Sequence, residues 1–182
     1  MARLRVNLNG LRRLGLSARE LERQKFELYK SVLKELAARL LRKVILRTPV
    51  GVKPDASQEI LAEHWSGYVG GTLRRGWTAS TEEQAVQGTG DGDILGYLNN
   101  LEIKQEGRSF YVIIRNACSY ASYVEYGHRQ DKGRYVAQLG KRLVNSFVPG
   151  QYMLKISEDE LARQAPAIIE RKVESFIRGL LS

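Results

Sequence analysis

"SARELERQKFELYKSVLKELAARLLRKVILRTPVG", Ser17 to Gly51, decides how the rest of the chain is read. Apolar residues recur at Phe26, Tyr29, Val32, Leu33, Leu36, Ala37, Leu40, Leu41, Val44 and Ile45. Steps of three and four place them on one stripe of a helix, with arginine and lysine on the other face. Ser17 and Glu20 have the spacing of a capping box, in which the serine accepts from the backbone at Glu20 and the glutamate reaches back. The helix stops ahead of Pro49, because a proline pushes the residue before it out of the helical region. A long helix with a single apolar stripe needs a surface to cover that stripe, and the rest of the chain must supply it.

At the far end, "SEDE" (Ser157–Glu160) repeats the capping-box spacing, and Leu161, Ala165, Ile168, Ile169, Val173, Phe176, Ile177 and Leu180 form a second stripe. Between the two helices the patterns are those of strands and turns. "LRRGWTA" (Leu73–Ala79) reads as a strand, and "QGTGDGD" (Gln87–Asp93) as a flexible tip. "YLNNLEIKQEG" and "RSFYVIIRNAC" read as two strands joined by a turn at Glu106–Gly107. Phe110, Val112 and Ile114 share one face of the second strand, and Tyr111, Ile113 and Arg115 the other, which predicts a central strand. Tyr120, Ala121, Val124 and Glu125 fall at helical spacing, closed by Gly127. Residues 128–150 read as a long loop with a short ordered centre, and "GQYMLKI" as a strand or landing segment. The stretch from Pro49 to Thr72 is loop-rich, with a short helix around Gln58–His64. The expected class is α+β: an antiparallel sheet of about four strands packed against long N-terminal and C-terminal amphipathic helices. Residues 1–16 form a basic arm and residues 17–182 a single domain. Without βαβ alternation, a doubly wound parallel sheet is not expected.

Length and charge narrow the function. The 182 residues, 43% hydrophobic and 27% charged, suit one globular domain. No apolar run approaches the roughly 20 residues that span a bilayer, and "MARLRVNLNG" lacks the apolar core and cleavage site of a secretory signal, so a cytoplasmic origin is expected. The net charge is +9, and all of the excess falls within residues 1–47; residues 48–182 are balanced. A segregated basic element points to an acidic partner surface or to nearby nucleic acid, although a lone basic helix is more often a solvated face.

Chemistry is thinly represented. The lone Cys118 ends an apolar run and reads as buried and inert. It and the two histidines, widely spaced, do not make a zinc site. Glu63 and His64 are adjacent, so their side chains diverge. "DGD" (Asp91–Asp93) is too short for a calcium loop. "GGT" with Arg74 and Arg75 lacks a P-loop lysine. Glu125 and His128, three apart, are the remaining acid–base pair. No cofactor motif is present. "YASYVEYGHRQ" (Tyr120–Gln130) has a reading without catalysis: tyrosines bring apolar area and a hydroxyl at low entropy cost, and Arg129 brings a fork for a carboxylate. Glu125 would then answer an arginine on a neighbouring copy.

Three elements in order resemble the tail-completion or neck proteins of tailed bacteriophages, also called minor tail components or head–tail joining proteins. They are the basic helix ending in "RTPVG" (Arg47–Gly51), "GGTLRRGW" (Gly70–Trp77) and "YASYVEYGHR" (Tyr120–Arg129). "VPGQYML" and Leu161–Leu181 stand where that family has a proline-containing segment and a final helix, so the likeness spans about residues 20–180. The stretch between "TPV" and "GGTLRR" is longer than in the compact family form, and "GHR" stands where Gly-Thr is common. The resemblance implies a small α+β virion protein without catalytic activity or cofactor. It implies a homo-oligomeric ring between head connector and tail tube or tail terminator, assembled in the bacterial cytoplasm, with DNA passing close by. The expected contact residues are Tyr120, Tyr123, Glu125, Tyr126, His128 and Arg129, with Arg74, Arg75 and Trp77 nearby. A ring needs two different patches per subunit, and the basic helix and the tyrosine-rich segment are the expected pair. The rival readings are a nucleic-acid-binding module using the arm and first helix, and an enzyme built on Glu125 and His128.

Overall fold

The computed structural model describes residues 18–51, 70–107 and 109–181. The basic arm 1–16, the cap at Ser17, the helix expected around Gln58–His64 and the Glu63–His64 pair lie outside the described residues. The long first helix, α1, runs Ala18–Arg47, and the last, α6, runs Met153–Leu181. They pack antiparallel: Lys43 and Arg47 reach Glu160, while Lys172 bridges to Glu35 at 3.1 Å and to Ser31 at 3.2 Å. Arg39–Glu35 is a further pair along α1 at 2.7 Å.

The buried core gathers Leu41, Val44, Ile45, Leu73, Trp77, Ala85, Cys118 and Met153 around the C-terminal half of α1. Short elements fill the space beside it. They are the helical turns α2 (Thr72–Arg75), α3 (Glu82–Gln87) and α4 (Ile94–Asn99), the hairpin β1 (Lys104–Glu106) and β2 (Ser109–Tyr111), and helix α5 (Ala121–Tyr126). Side-chain caps set two of the turns: Thr81 accepts from the Gln84 amide and Asp93 from the Gly96 amide.

The class is α+β with antiparallel pairing and long terminal helices, as expected, but the strands divide differently. Among the described residues there is no single four-stranded sheet; there are three two-stranded ladders. The hairpin turns at Gly107 (φ +59°) with Glu106 opposite Ser109, close to the expected place. Its second strand is short and at an edge, not central. Its anchor is Phe110, which stacks on Tyr29 at 4.9 Å and meets Phe26 edge-on at 5.7 Å. Tyr97–Asn99, expected in the first strand of the hairpin, belongs instead to α4, whose cap at Asp93 the strand pattern did not weigh.

Leu73–Ala79 is not a strand. Gly70 and Gly71 take φ of +70° and +76°, and the chain then winds into α2. Helical winding turns Arg74 toward the end of α1 and Arg75 into the interior, where carbonyls await it. "GQYMLKI" is not a strand: Gln151 and Tyr152 bond to the Val124 and Glu125 carbonyls, and α6 starts at Met153. Ser157 is therefore not a cap: inside the helix, its hydroxyl donates to the Met153 carbonyl at 2.7 Å. The region 128–150 is more ordered than a loop. β3 (Gly127–Arg129) pairs with β6 (Phe147–Pro149), and β4 (Tyr135–Val136) pairs with β5 (Lys141–Arg142) across a short 3₁₀ turn. Gln130–Ser146 and Gly133–Leu143 backbone bonds join the two ladders into one projecting β-arm.

Candidate interface

Helix α5 is short because Tyr120 starts it without a side-chain cap and Gly127, at φ +84°, ends it. A β-carbon at Gly127 would meet the Val148 carbonyl oxygen at 2.5 Å, so the close crossing of β3 and β6 needs glycine there. Within α5 the period of 3.6 sorts the side chains. Ala121 and Val124 pack on the core and Glu125 is buried, while Tyr123 and Tyr126 point outward at 58% and 63% exposure. Tyr120, at the start of the helix, is 37% exposed.

Glu125 is the residue whose position the sequence did not reveal. Its carboxylate accepts from the Leu154 amide at 2.9 Å and from the Lys155 amide at 3.0 Å. These are first-turn donors of α6, left without partners inside their own helix. A carboxylate there also meets the positive end of the helix dipole. Backbone bonds from Gln151 to the Val124 carbonyl (2.8 Å) and from Tyr152 to the Glu125 carbonyl (3.0 Å) complete the joint. Gly150 lies so close that a β-carbon would collide with the Glu125 carbonyl oxygen. The side chain expected to reach a neighbouring arginine thus points into its own subunit.

The other expected contacts divide in the same way. Arg75 and Trp77 are only 5% and 4% exposed. The Arg75 guanidinium donates to the carbonyls of Ala85 (2.6 Å), Gly70 (2.9 Å) and Gly90 (3.3 Å), tying the α3 loop to the turn before α2. Trp77 Nε1 donates to the Thr48 hydroxyl at 2.8 Å, and Arg74 Nε donates to the Thr48 carbonyl at 2.8 Å. The "RTPVG" and "GGTLRRGW" motifs are therefore two halves of one internal junction, centred on the fully buried Thr48. Arg74 also reaches Asp91 at 3.1 Å. His128 is half-buried against the Tyr123 ring at 5.7 Å, with Nδ1 unpartnered, and Arg129 is exposed on the arm. No hydrogen bond joins Glu125 to His128 among the described residues.

Sequence reading missed Thr48 and Asn116, and gave Ser157 a capping role where it instead donates to Met153 and accepts from Arg47. Asn116 donates to the Leu73 carbonyl at 2.8 Å and accepts from the Cys118 amide at 2.9 Å. The only signal for Thr48 was its place before a proline. Cys118 is a free, buried thiol, and burial pushes its pKa up. Several α1 cations are already matched by acids of this chain, Lys43 and Arg47 by Glu160 and Arg39 by Glu35. Among the described residues no helix is long and apolar enough to cross a membrane, and no group of three His, Cys, Asp or Glu side chains converges.

A family model described as "Bacteriophage HK97-gp10, putative tail-component" matches residues 14–127. The chain belongs to the HK97-gp10-like family. The match takes in α1, the Thr48 junction and α5, and stops at Gly127, where the β-arm of this tail-component family member begins. Searches of curated proteins and of solved structures give no match.

Proposed function

We propose that this HK97-gp10-like protein is a structural virion component that closes into a homo-oligomeric ring at the head-proximal end of the tail, where it completes the tail and joins it to the head. The observation that carries this reading is the division of labour in α5. Glu125 fastens the helix to the N-terminus of α6, and this rigid mount holds Tyr120, Tyr123 and Tyr126 outward. Large aromatic side chains on a fixed element lose little entropy on docking, which is the character of interface hot spots. Arg129, at the root of the arm, adds a fork for a carboxylate.

An enzyme built on Glu125 has less support, because a base must face its substrate and this carboxylate faces two backbone amides. The neighbours in this reading are the head connector on one side and the tail tube or terminator on the other. Basic segments would lie near the DNA that passes through the channel, and assembly would take place in the host cytoplasm. The test is incorporation. Full-length protein carrying Tyr123→Ala and Tyr126→Ala should keep its circular dichroism and melting temperature, yet fail to enter particles imaged by electron microscopy. Particles that take up the double variant at the normal level would overturn the proposal.

A further inference from the structure

The β-arm, residues 127–149, is built to be held by something outside its own fold. From Arg129 to Phe147 every backbone and side-chain hydrogen bond among the described residues stays within the arm, and none of its charges forms an ion pair. Two-stranded ribbons are marginal in water unless one face is covered. Yet Tyr135, Leu139, Val144 and Phe147 are 55%, 40%, 76% and 49% exposed. Arg129, Lys132, Arg134, Lys141 and Arg142 stand against one acid, Asp131, so the arm carries +4.

The opposite charge lies on the same chain. Residues 82–106 hold six carboxylates and one lysine, a net charge of −5. Glu83, Asp93 and Glu106 are exposed there without a cation partner among the described residues. Between α3, α4 and the hairpin lies an open cleft of about 610 Å³ whose ionisable lining is balanced, Asp93 and Glu102 against Lys104 and Arg115, so the unmatched acids Glu83 and Glu106 lie outside that lining.

We infer that the β-arm of one copy docks on the acidic segment of residues 82–106, from α3 to the hairpin, of the next copy. The occupant is a second copy of this chain, because the complementary charges are both present on one subunit and heterologous contacts of two different patches are what closes a ring. The apolar side chains of the arm supply buried area and the flanking cations supply register. This inference rests on the ring reading and deepens it by naming the two patches.

The test is a charge swap in the full-length chain, read as self-association by sedimentation. Lys141→Glu with Arg142→Glu should weaken assembly at least tenfold, and Glu83→Lys with Glu106→Lys should do the same. Mixing the two doubly substituted chains should restore hetero-assembly to within about threefold. All four positions are exposed, and unchanged circular dichroism and melting temperature certify folding. If both charge-reversed chains assemble like the original, the docking pair is wrong while the ring stands. The pair is equally wrong if the mixture does not recover, or if the arm variant loses only affinity for a DNA duplex. If the unaltered chain stays monomeric at every concentration and on tail particles, the ring reading falls and the inference falls with it.

Discussion

Replacing Glu125 with alanine removes the carboxylate that accepts from the Leu154 and Lys155 amides. Glu125 is 5% exposed, so water has poor access to the site and the amides at the start of α6 lose their partner. Loss of a helix cap costs about 0.5–2 kcal/mol. Hydrogen bonds to a charged acceptor are worth about 1.5–3 kcal/mol each. The two bonds share one carboxylate and are not additive, so about 2–4 kcal/mol is expected for the pair. For a chain of this length each kcal/mol lowers the melting temperature by about 2–4 °C. Glu125→Gln keeps one acceptor oxygen and turns an NH₂ toward the amides, so it should lose about half as much. The assay is urea unfolding of monomeric, full-length protein, with hydrogen exchange at Leu154 and Lys155 as a local readout. Exchange at these amides should quicken in Glu125→Ala before global unfolding does. A contact that served only a neighbouring subunit would leave the monomer unaffected. A midpoint shift worth less than about 0.5 kcal/mol, within the range of ordinary surface substitutions, would refute the capping role.

Arg75→Met should destabilise by about 2–4 kcal/mol, because three buried carbonyls lose their shared donor; limited proteolysis should then cut first around residues 82–92. Thr48→Val keeps the shape but removes the acceptor of Trp77 Nε1, for an expected loss of about 1–3 kcal/mol and a shift in tryptophan fluorescence. Acid should loosen the α1–α6 pair. Hydrogen bonds from Arg39 and then Lys172 hold the Glu35 carboxyl below its ordinary value, and a hydrogen bond from Lys43 does the same for Glu160. A carboxyl lowered in the folded state lends stability that is complete above the unfolded value of about 4.3 and is lost as pH falls through the folded value. Denaturation midpoints should thus decline on acidification below about pH 4.3, less steeply in Glu35→Gln, and an identical decline in that variant would count against the pair.

Patterns with a strong period were legible in the sequence. The stripe of α1, its stop before Pro49, the helical spacing of α5 closed by Gly127 and the turn at Gly107 each follow from local spacing. What was not legible depends on partners distant in sequence. Glu125 and the start of α6 are about 30 residues apart, and nothing local marks a glutamate on a short helix as the cap of another helix. The "SEDE" spacing is a real capping pattern that loses to this remote cap, so Ser157 bonds inside the helix instead. Arg74 and Arg75 alternate as a strand would, but carbonyls contributed by Thr48, Ala85 and Gly90 select a helical turn. For the site, the tyrosines suggested a contact surface because they bring apolar area and a hydroxyl at low entropy cost, and Tyr123 and Tyr126 are exposed. Trp77 was not legible as core, since its neighbour in space is Thr48, 29 positions away.

The position of the β-arm bears on how this protein can change. Its two roots are held together by the β3–β6 ladder, and the segments just outside them are stitched by the Glu125 joint. The body is therefore complete across the base of the arm, and what lies beyond Arg129 and Phe147 is a closed excursion. Loops and arms of this kind accept altered length and composition at little cost to the fold, because no core contact crosses into them. The family match ends at Gly127, so both the arm and α6, which belongs to the body, lie beyond it. Thr48, Arg75 and Glu125 make their hydrogen bonds outside the arm. A change of length or composition in the arm should therefore leave the melting temperature of the body nearly unaltered, and a large loss would show that the arm supports the fold.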